Sequence, residues 1–144
     1  MEEPKNNQNL NKYSNDDNTD HQSKHFLLEI YRCNYEKLND ESFLRCTLNN
    51  ASKLANATVL NLISNKFEPQ GVTAIALLSE SHLSIHTWPE FHYSAVDIFT
   101  CGQNMRPEIA CQYLIEALMA EEHLLRVIHR NPPSTVQKHI RTIV

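Results

Sequence analysis

A chain of 144 residues, 41% of them hydrophobic, with a formal charge of −4 at pH 7, suits one domain with a core of its own. No run of Lys and Arg is present, which argues against nucleic acid as a partner. No apolar stretch approaches the roughly 18 residues a membrane helix needs, and the polar start is not a secretory signal, so the expected location is the cytoplasm with no membrane partner.

Asn6, Asn7, Asn9, Asn11, Asn15 and Asn18 crowd with Asp16, Asp17 and Asp20 near the start, with Leu10 and Tyr13 nearly the only large apolar groups. Such a segment cannot bury enough surface to offset its ordering entropy, so residues 1–23 are expected to be a disordered polar tail. A folded domain is expected over residues 24–131, followed by a C-terminal tail over 132–144. Phe26 to Tyr31 reads as a strand. Asn39 and Asp40 offer an N-cap to a helix whose apolar face is Phe43, Leu44, Leu48, Ala51, Leu54 and Ala55. Thr58 to Phe67 is a strand by its β-branched and apolar content, and Pro69 and Gly71 punctuate a turn. Val72 to Leu78 is continuously apolar, as a buried strand would be. Leu83 to Trp88 and Ser94 to Thr100 are two further strands, the second ended by Gly102 and Asn104. Pro107 suits the first position of a second helix, with Ile109, Ala110, Tyr113, Leu114, Ala117 and Leu118 on its apolar face. Leu124 to Ile128 is a last strand. This order predicts an α+β fold: a two-layer sandwich of an antiparallel sheet with two helices on one face.

Only two glycines occur, so glycine-rich nucleotide loops are excluded by counting. The four cysteines, Cys33, Cys46, Cys101 and Cys111, include no C-x-x-C pair and read as free thiols rather than a zinc site. The chemistry-bearing groups gather between Ser79 and Gly102, which holds Ser79, Glu80, Ser81, His82, Ser84, His86, Trp88, Glu90, His92, Asp97 and Cys101. Three readings of these residues compete. A metal site could use His82 and His86, but the surrounding alternation is that of a strand and no Glu follows His82, so no metal is expected. A serine hydrolase would need a glycine-flanked nucleophile, which is absent. Taken singly, each residue fits a structural role: a satisfied histidine on a half-buried strand, or a core thiol.

The whole string points elsewhere. Glu80-Ser81-His82-Leu83-Ser84-Ile85-His86-Thr87-Trp88-Pro89-Glu90 and Ala95-Val96-Asp97-Ile98-Phe99-Thr100-Cys101-Gly102 closely resemble the processing and active-site block of the prokaryotic-type, pyruvoyl-dependent S-adenosylmethionine decarboxylases. Leu38-Asn39-Asp40 and Phe67-Glu68-Pro69-Gln70-Gly71-Val72-Thr73 extend the resemblance, which runs from about Lys24 to about Arg130. It implies a proenzyme that cuts itself between Glu80 and Ser81, leaving a β chain of residues 1–80 and an α chain of 81–144. Ser81 would become a covalent pyruvoyl cofactor that forms a Schiff base with S-adenosylmethionine. The products would be carbon dioxide and S-adenosylmethioninamine, the aminopropyl donor of spermidine biosynthesis. The resemblance further implies that His86 accepts the α-proton in processing, that Thr73 stands where a serine hydroxyl stabilises the tetrahedral intermediate, and that Cys101 is the proton donor in catalysis. Phe67 would stack on adenine and Glu90 would bind the ribose hydroxyls. A homodimer of processed protomers is implied as well. Strand alternation sets His86 on the face opposite Ser81, so a bend near Ser79 to Ser81 would have to join them. His92 stands where small, glycine-like residues are common in the family, Ser94 where alanine is, and the tail has no counterpart. Two rivals remain: the same pyruvoyl fold acting on ornithine or arginine, and a binding module that never matures.

Overall fold

The structure is a computed structural model that describes residues 23–130. The expected N-terminal tail lies outside the described residues save for Ser23, as does the expected C-terminal tail. Six strands, β1 (Ser23–Tyr31), β2 (Val59–Lys66), β3 (Val72–Leu78), β4 (His82–Trp88), β5 (Tyr93–Cys101) and β6 (Glu122–Arg130), form one antiparallel sheet in the order β2-β3-β4-β5-β1-β6. Helices α2 (Glu41–Leu54) and α3 (Pro107–Ala117) cover one face of it. The α+β sandwich expected from the element order is the one observed. Two short pieces went unread: α1 (Tyr35–Leu38), and a 3-10 helix at Pro89–Phe91.

Alternation along each strand sorts residues between the two faces. Phe26, Leu28 and Ile30 of β1, Val72, Ala74 and Ala76 of β3, Leu83 and Ile85 of β4, and Val96 and Ile98 of β5 are buried under the helices. From the helices, Leu44, Leu48, Ala51, Ala110, Leu114 and Leu118 meet them. The α2 face is turned slightly from the expected one. Leu54 is 52% exposed, while Thr47 and Ser52 are buried. Both hydroxyls donate back to the carbonyl four residues earlier, Thr47 to Phe43 and Ser52 to Leu48, each at 2.8 Å. That bond lets a polar side chain enter an apolar layer without an unmet donor. Ile109 of α3 is likewise exposed, and Cys111 takes its place inside.

Caps fix where the helices begin. Asp40 accepts from Phe43 N–H at 2.9 Å and starts α2, and Asn34 accepts from Lys37 N–H at 3.0 Å and starts α1. Asn39, the other candidate cap, instead accepts from Gly71 N–H at 3.0 Å and ties α1 to the β2–β3 turn. Gly71 has φ +99°, and a Cβ there would lie 3.0 Å from Thr87 O, so only glycine allows this close approach. Thr87 seals the junction: its buried hydroxyl donates to Leu38 O at 2.7 Å and accepts from Val72 N–H at 2.8 Å.

The two departures at His92 and Ser94 have different physics. His92 follows the 3-10 helix at φ 50°, in the left-handed region that favours glycine. Its ring Nδ1–H donates to Cys33 O at 2.9 Å, and Cys33 N–H donates to His92 O at 2.9 Å, so this side chain gains a partner where glycine would have none. Ser94 faces the helices fully buried, and among the described residues its hydroxyl has no partner. Ser94→Ala should therefore stabilise the fold by about 1–2 kcal/mol, the cost of holding an unpaired hydroxyl in the core. Urea denaturation of the two proteins measures the difference, and an unchanged or lowered midpoint would show that the hydroxyl is satisfied.

Candidate active site

The expected bend at Ser79–Ser81 is a hairpin turn joining β3 to β4. Leu78 N–H donates to Ser81 O at 2.9 Å, closing a two-residue loop of Ser79 and Glu80. Thr58 grips the loop twice. Its carbonyl accepts from Ser79 N–H at 3.0 Å, and its own N–H donates to the Glu80 carboxylate at 3.1 and 3.3 Å. The Glu80–Ser81 peptide is thus held by main-chain bonds on one side and a charge-assisted bond on the other. Cys101 lies at the same end of the sheet: Phe99, two residues earlier, pairs with His82, and Cys101 itself pairs with Ser23. It is exposed.

The bend does not bring His86 to Ser81. His86 pairs with Thr73 across β3 and β4, and Thr73 Oγ1 lies 2.9 Å from His86 Nδ1. Five residues of strand separate His86 from Ser81, on the order of 15 Å at ~3.3 Å per residue. Phe67 and Glu90 belong with His86. Phe67 follows β2, whose Asn65 pairs with Thr73, and Glu90 lies in the 3-10 helix just past Trp88. Phe67 is 49% exposed and Glu90 is exposed too. The candidate residues therefore fall into two clusters at opposite ends of the strands. Glu80, Ser81 and Cys101 form one, and Phe67, Thr73, His86 and Glu90 the other.

The sheet face away from the helices also carries groups to which sequence reasoning gave no role. Near Ser81, the His82 ring stacks on Phe99 at 5.9 Å between centroids and 9° between planes, and His25 meets both rings edge-on. His25 Nε2 lies 3.0 Å from Asp97 Oδ1. Near His86, the Trp88, Tyr93 and Tyr31 rings stack in sequence, and Tyr93 O–H donates to the Glu29 carboxylate. Burial, then that carboxylate, pushes the Tyr93 phenol well above its ordinary value. The signal for these clusters was the alternation itself, since polar and aromatic residues hold every second position of β4 and, Leu27 and Ala95 aside, of β1 and β5.

The thiols separate by environment. Burial pushes Cys33 up to about 11, and burial with the nearby Glu108 pushes Cys111 up to about 12, whereas Cys46 and Cys101 are exposed. Since only thiolate reacts, the native protein should lose two thiols quickly to a disulfide reagent at pH 8 and the other two only on unfolding. Peptide mapping should find Cys46 and Cys101 labelled first. Early labelling of Cys33 or Cys111 would contradict the packing described here.

Comparison with known proteins places this architecture. The family described as S-adenosylmethionine decarboxylase matches residues 24–131. A Prochlorococcus marinus (strain MIT 9313) protein named S-adenosylmethionine decarboxylase proenzyme is 55% identical over 118 residues, 82% of this chain and 94% of that one. A Synechococcus (strain WH7803) protein of the same name is 56% identical over 119 residues, 83% of this chain and 93% of that one. Among solved structures, the adenosylmethionine decarboxylase of Aquifex aeolicus superposes with a TM-score of 0.74 at 31% identity, covering 83% of this chain and 98% of that one. By matched length, identity and fold together, this chain belongs to the S-adenosylmethionine decarboxylase family.

Proposed function

We propose that this chain is a self-processing enzyme that cuts itself between Glu80 and Ser81 and then decarboxylates S-adenosylmethionine. The observation that carries the reading is the grip of Thr58 on the Ser79–Ser81 turn, within a chain 55% identical to a named proenzyme. A turn so held keeps the Glu80 carbonyl and the Ser81 hydroxyl in one fixed relation, which favours intramolecular attack. Ser81 Oγ attacks the Glu80 carbonyl carbon, and the amide becomes an ester. Loss of the Ser81 α-proton expels the Glu80 carboxylate. Hydrolysis of the dehydroalanine so formed releases its nitrogen as ammonia and leaves a pyruvoyl group at the head of an α chain of residues 81–144, and a β chain of 1–80. Half-buried, Ser81 suits such a conversion, because its tie to Leu78 runs through its carbonyl, which the reaction leaves in place. The ketone so made supplies an electron sink for the loss of carbon dioxide.

The remaining roles follow the two clusters. Cys101, at the Ser81 end, is suited to return a proton to the substrate carbon. Thr73 and His86, bonded to each other, form the unit that takes the α-proton in processing. Phe67 offers a ring to adenine, and Glu90 a carboxylate to the ribose hydroxyls. The relatives reported above are named for S-adenosylmethionine and not for ornithine or arginine, and the exposed Phe67 ring suits a nucleoside.

Since one protomer holds the clusters at opposite ends of its strands, a complete site needs a second copy. The open sheet face is the surface that fits it. Ile63, Leu77 and Trp88 stand exposed there beside the polar groups. In the homodimer, Ser81 and Cys101 of one protomer meet Thr73, His86, Phe67 and Glu90 of its partner.

Denaturing electrophoresis of wild type should show two fragments, and Ser81→Ala one full-length chain. Carbon dioxide release should require S-adenosylmethionine and stop with hydroxylamine, and Cys101→Ala should lower turnover by roughly 10²–10⁴. A wild-type chain that never cleaves would end the reading. The dimer makes a separate demand. Ser81→Ala and His86→Ala should each fail to mature alone. Coexpressed, they should yield mixed dimers in which the Ser81 of one is processed by the His86 of the other. Failure of the mixture, with self-cleavage intact in wild type, would mean that the two clusters act within one protomer.

A further inference from the structure

The roles above leave one atom of the self-cleavage without a destination: the hydroxyl proton that Ser81 must lose to attack. We propose that His82 takes it, an inference that rests on the self-processing reading. His82 Nδ1 lies 3.4 Å from Ser81 Oγ. That is long for a finished hydrogen bond, and catalytic bonds of this kind commonly tighten only as reaction proceeds. Histidine is the side chain suited to accept a proton near neutral pH and give it back.

Three further observations set His82 apart from a residue that is merely adjacent. Its ring is fixed, stacked on Phe99 across the β4–β5 pair with 9° between the planes. The ring of His25, from the next strand over, closes its edge at 6.5 Å between centroids. His25 is held in turn by Asp97, 3.0 Å away. Finally, His82 is the motif histidine that a protomer brings to its own Ser81, since His86 is bonded to Thr73 five residues along the strand.

The step balances within the chain. With the ring proton on Nε2, Nδ1 accepts the Ser81 hydroxyl proton as the Oγ–carbon bond to Glu80 forms. The tetrahedral centre then collapses by breaking the carbon–nitrogen bond. His82 returns the same proton to the departing Ser81 nitrogen. The product is an ester and a free amine, with no net gain or loss of protons at the histidine, so one residue serves as base and then as acid. The later α-proton removal is a separate event. Motif histidines thus divide the work, His82 in the acyl shift and His86 of the partner in the elimination.

The test isolates the acyl shift by keeping excess hydroxylamine present while freshly made full-length chain matures. Hydroxylamine cleaves the ester as it forms, so the appearance of cut chain reports ester formation whatever happens afterwards. His82→Phe keeps an aromatic ring to stack on Phe99 but has no nitrogen. It should cut roughly 10²–10⁴-fold more slowly than wild type. His82→Ala loses the stack, and should be slow alone but recover part of its rate when imidazole is added. A purely structural role predicts the reverse order, with the Phe variant near wild type and the Ala variant deaf to imidazole. Circular dichroism and dimer mass of each variant verify folding, and the imidazole response keeps the test open should His82→Phe fold poorly. If wild type cuts and His82→Phe cuts at the same rate, this inference falls while self-processing stands. If wild type does not cut in either condition, the self-processing reading falls with it.

Discussion

The two-residue alternation of six antiparallel strands is the constraint on which everything else depends, because helices cover one face of the sheet and leave the other open. Residues of even number in β1, β3 and β5 go under the helices, among them Phe26, Leu28, Ile30, Val72, Ala74, Ala76, Val96 and Ile98. Their odd-numbered neighbours, His25, Glu29, Thr73, Tyr93, Asp97 and Cys101, face the other way. In β4, which enters after the turn with opposite parity, His82 and His86 join them. A one-residue slip in any strand would bury these polar groups under the helices and expose the core. The register that builds the core therefore also places the two clusters of candidate residues, and neither could drift without the other.

Within that frame, the β3–β4 turn does two jobs. It sets the pairing of Thr73 with His86, and it presents the Glu80–Ser81 peptide at the sheet's end. Both follow from a loop of only two residues, which leaves no slack for alternative pairings. Thr58, just before β2, gives the loop an anchor outside the hairpin. At the far end, Gly71, Asn39 and Thr87 lock the β2–β3 turn against α1. Each half of the site is thus tied to the core by a polar junction of its own.

Much of this was legible in the sequence, because the strands announce themselves by alternation and Pro107 and Asp40 mark helix starts. The reactive motif was legible as a resemblance and not as geometry. Its residues are contiguous in the chain, which suggests one pocket, whereas strand extension pulls Ser81 and His86 apart. The Thr73–His86 contact could have been found by counting equally back from a turn at Ser79–Glu80, but nothing in that dipeptide marks a tight turn: it lacks the Asn or Gly that usually signals one. The four-residue α1 escaped for lack of any period to read, and the buried Thr47 and Ser52 escaped because their bonds to the preceding turn are invisible to a hydrophobic pattern. His92 is a case where the residue type misleads, since the left-handed φ that favours glycine is tolerated for the sake of a hydrogen bond to Cys33.

On the proposed reading, the separation of the two clusters also limits which dimer would complete a site. Two copies packed by their open faces keep their strands roughly aligned, as stacked sheets do. A two-fold axis parallel to the strands would lay the Ser81 end of one sheet over the Ser81 end of the other, leaving both half-sites unfinished. An axis in the interface but across the strands reverses their direction, so each Ser81 end meets a His86 end. The interface is then isologous, and the same contact that completes one site completes the second. In the proposed dimer, mutually dependent half-sites of this kind would hold maturation back until two chains have met, because a lone protomer would have the nucleophile and the turn but not the base for its α-proton. Assembly would then precede the formation of the ketone, and an unpaired chain would not expose that reactive group.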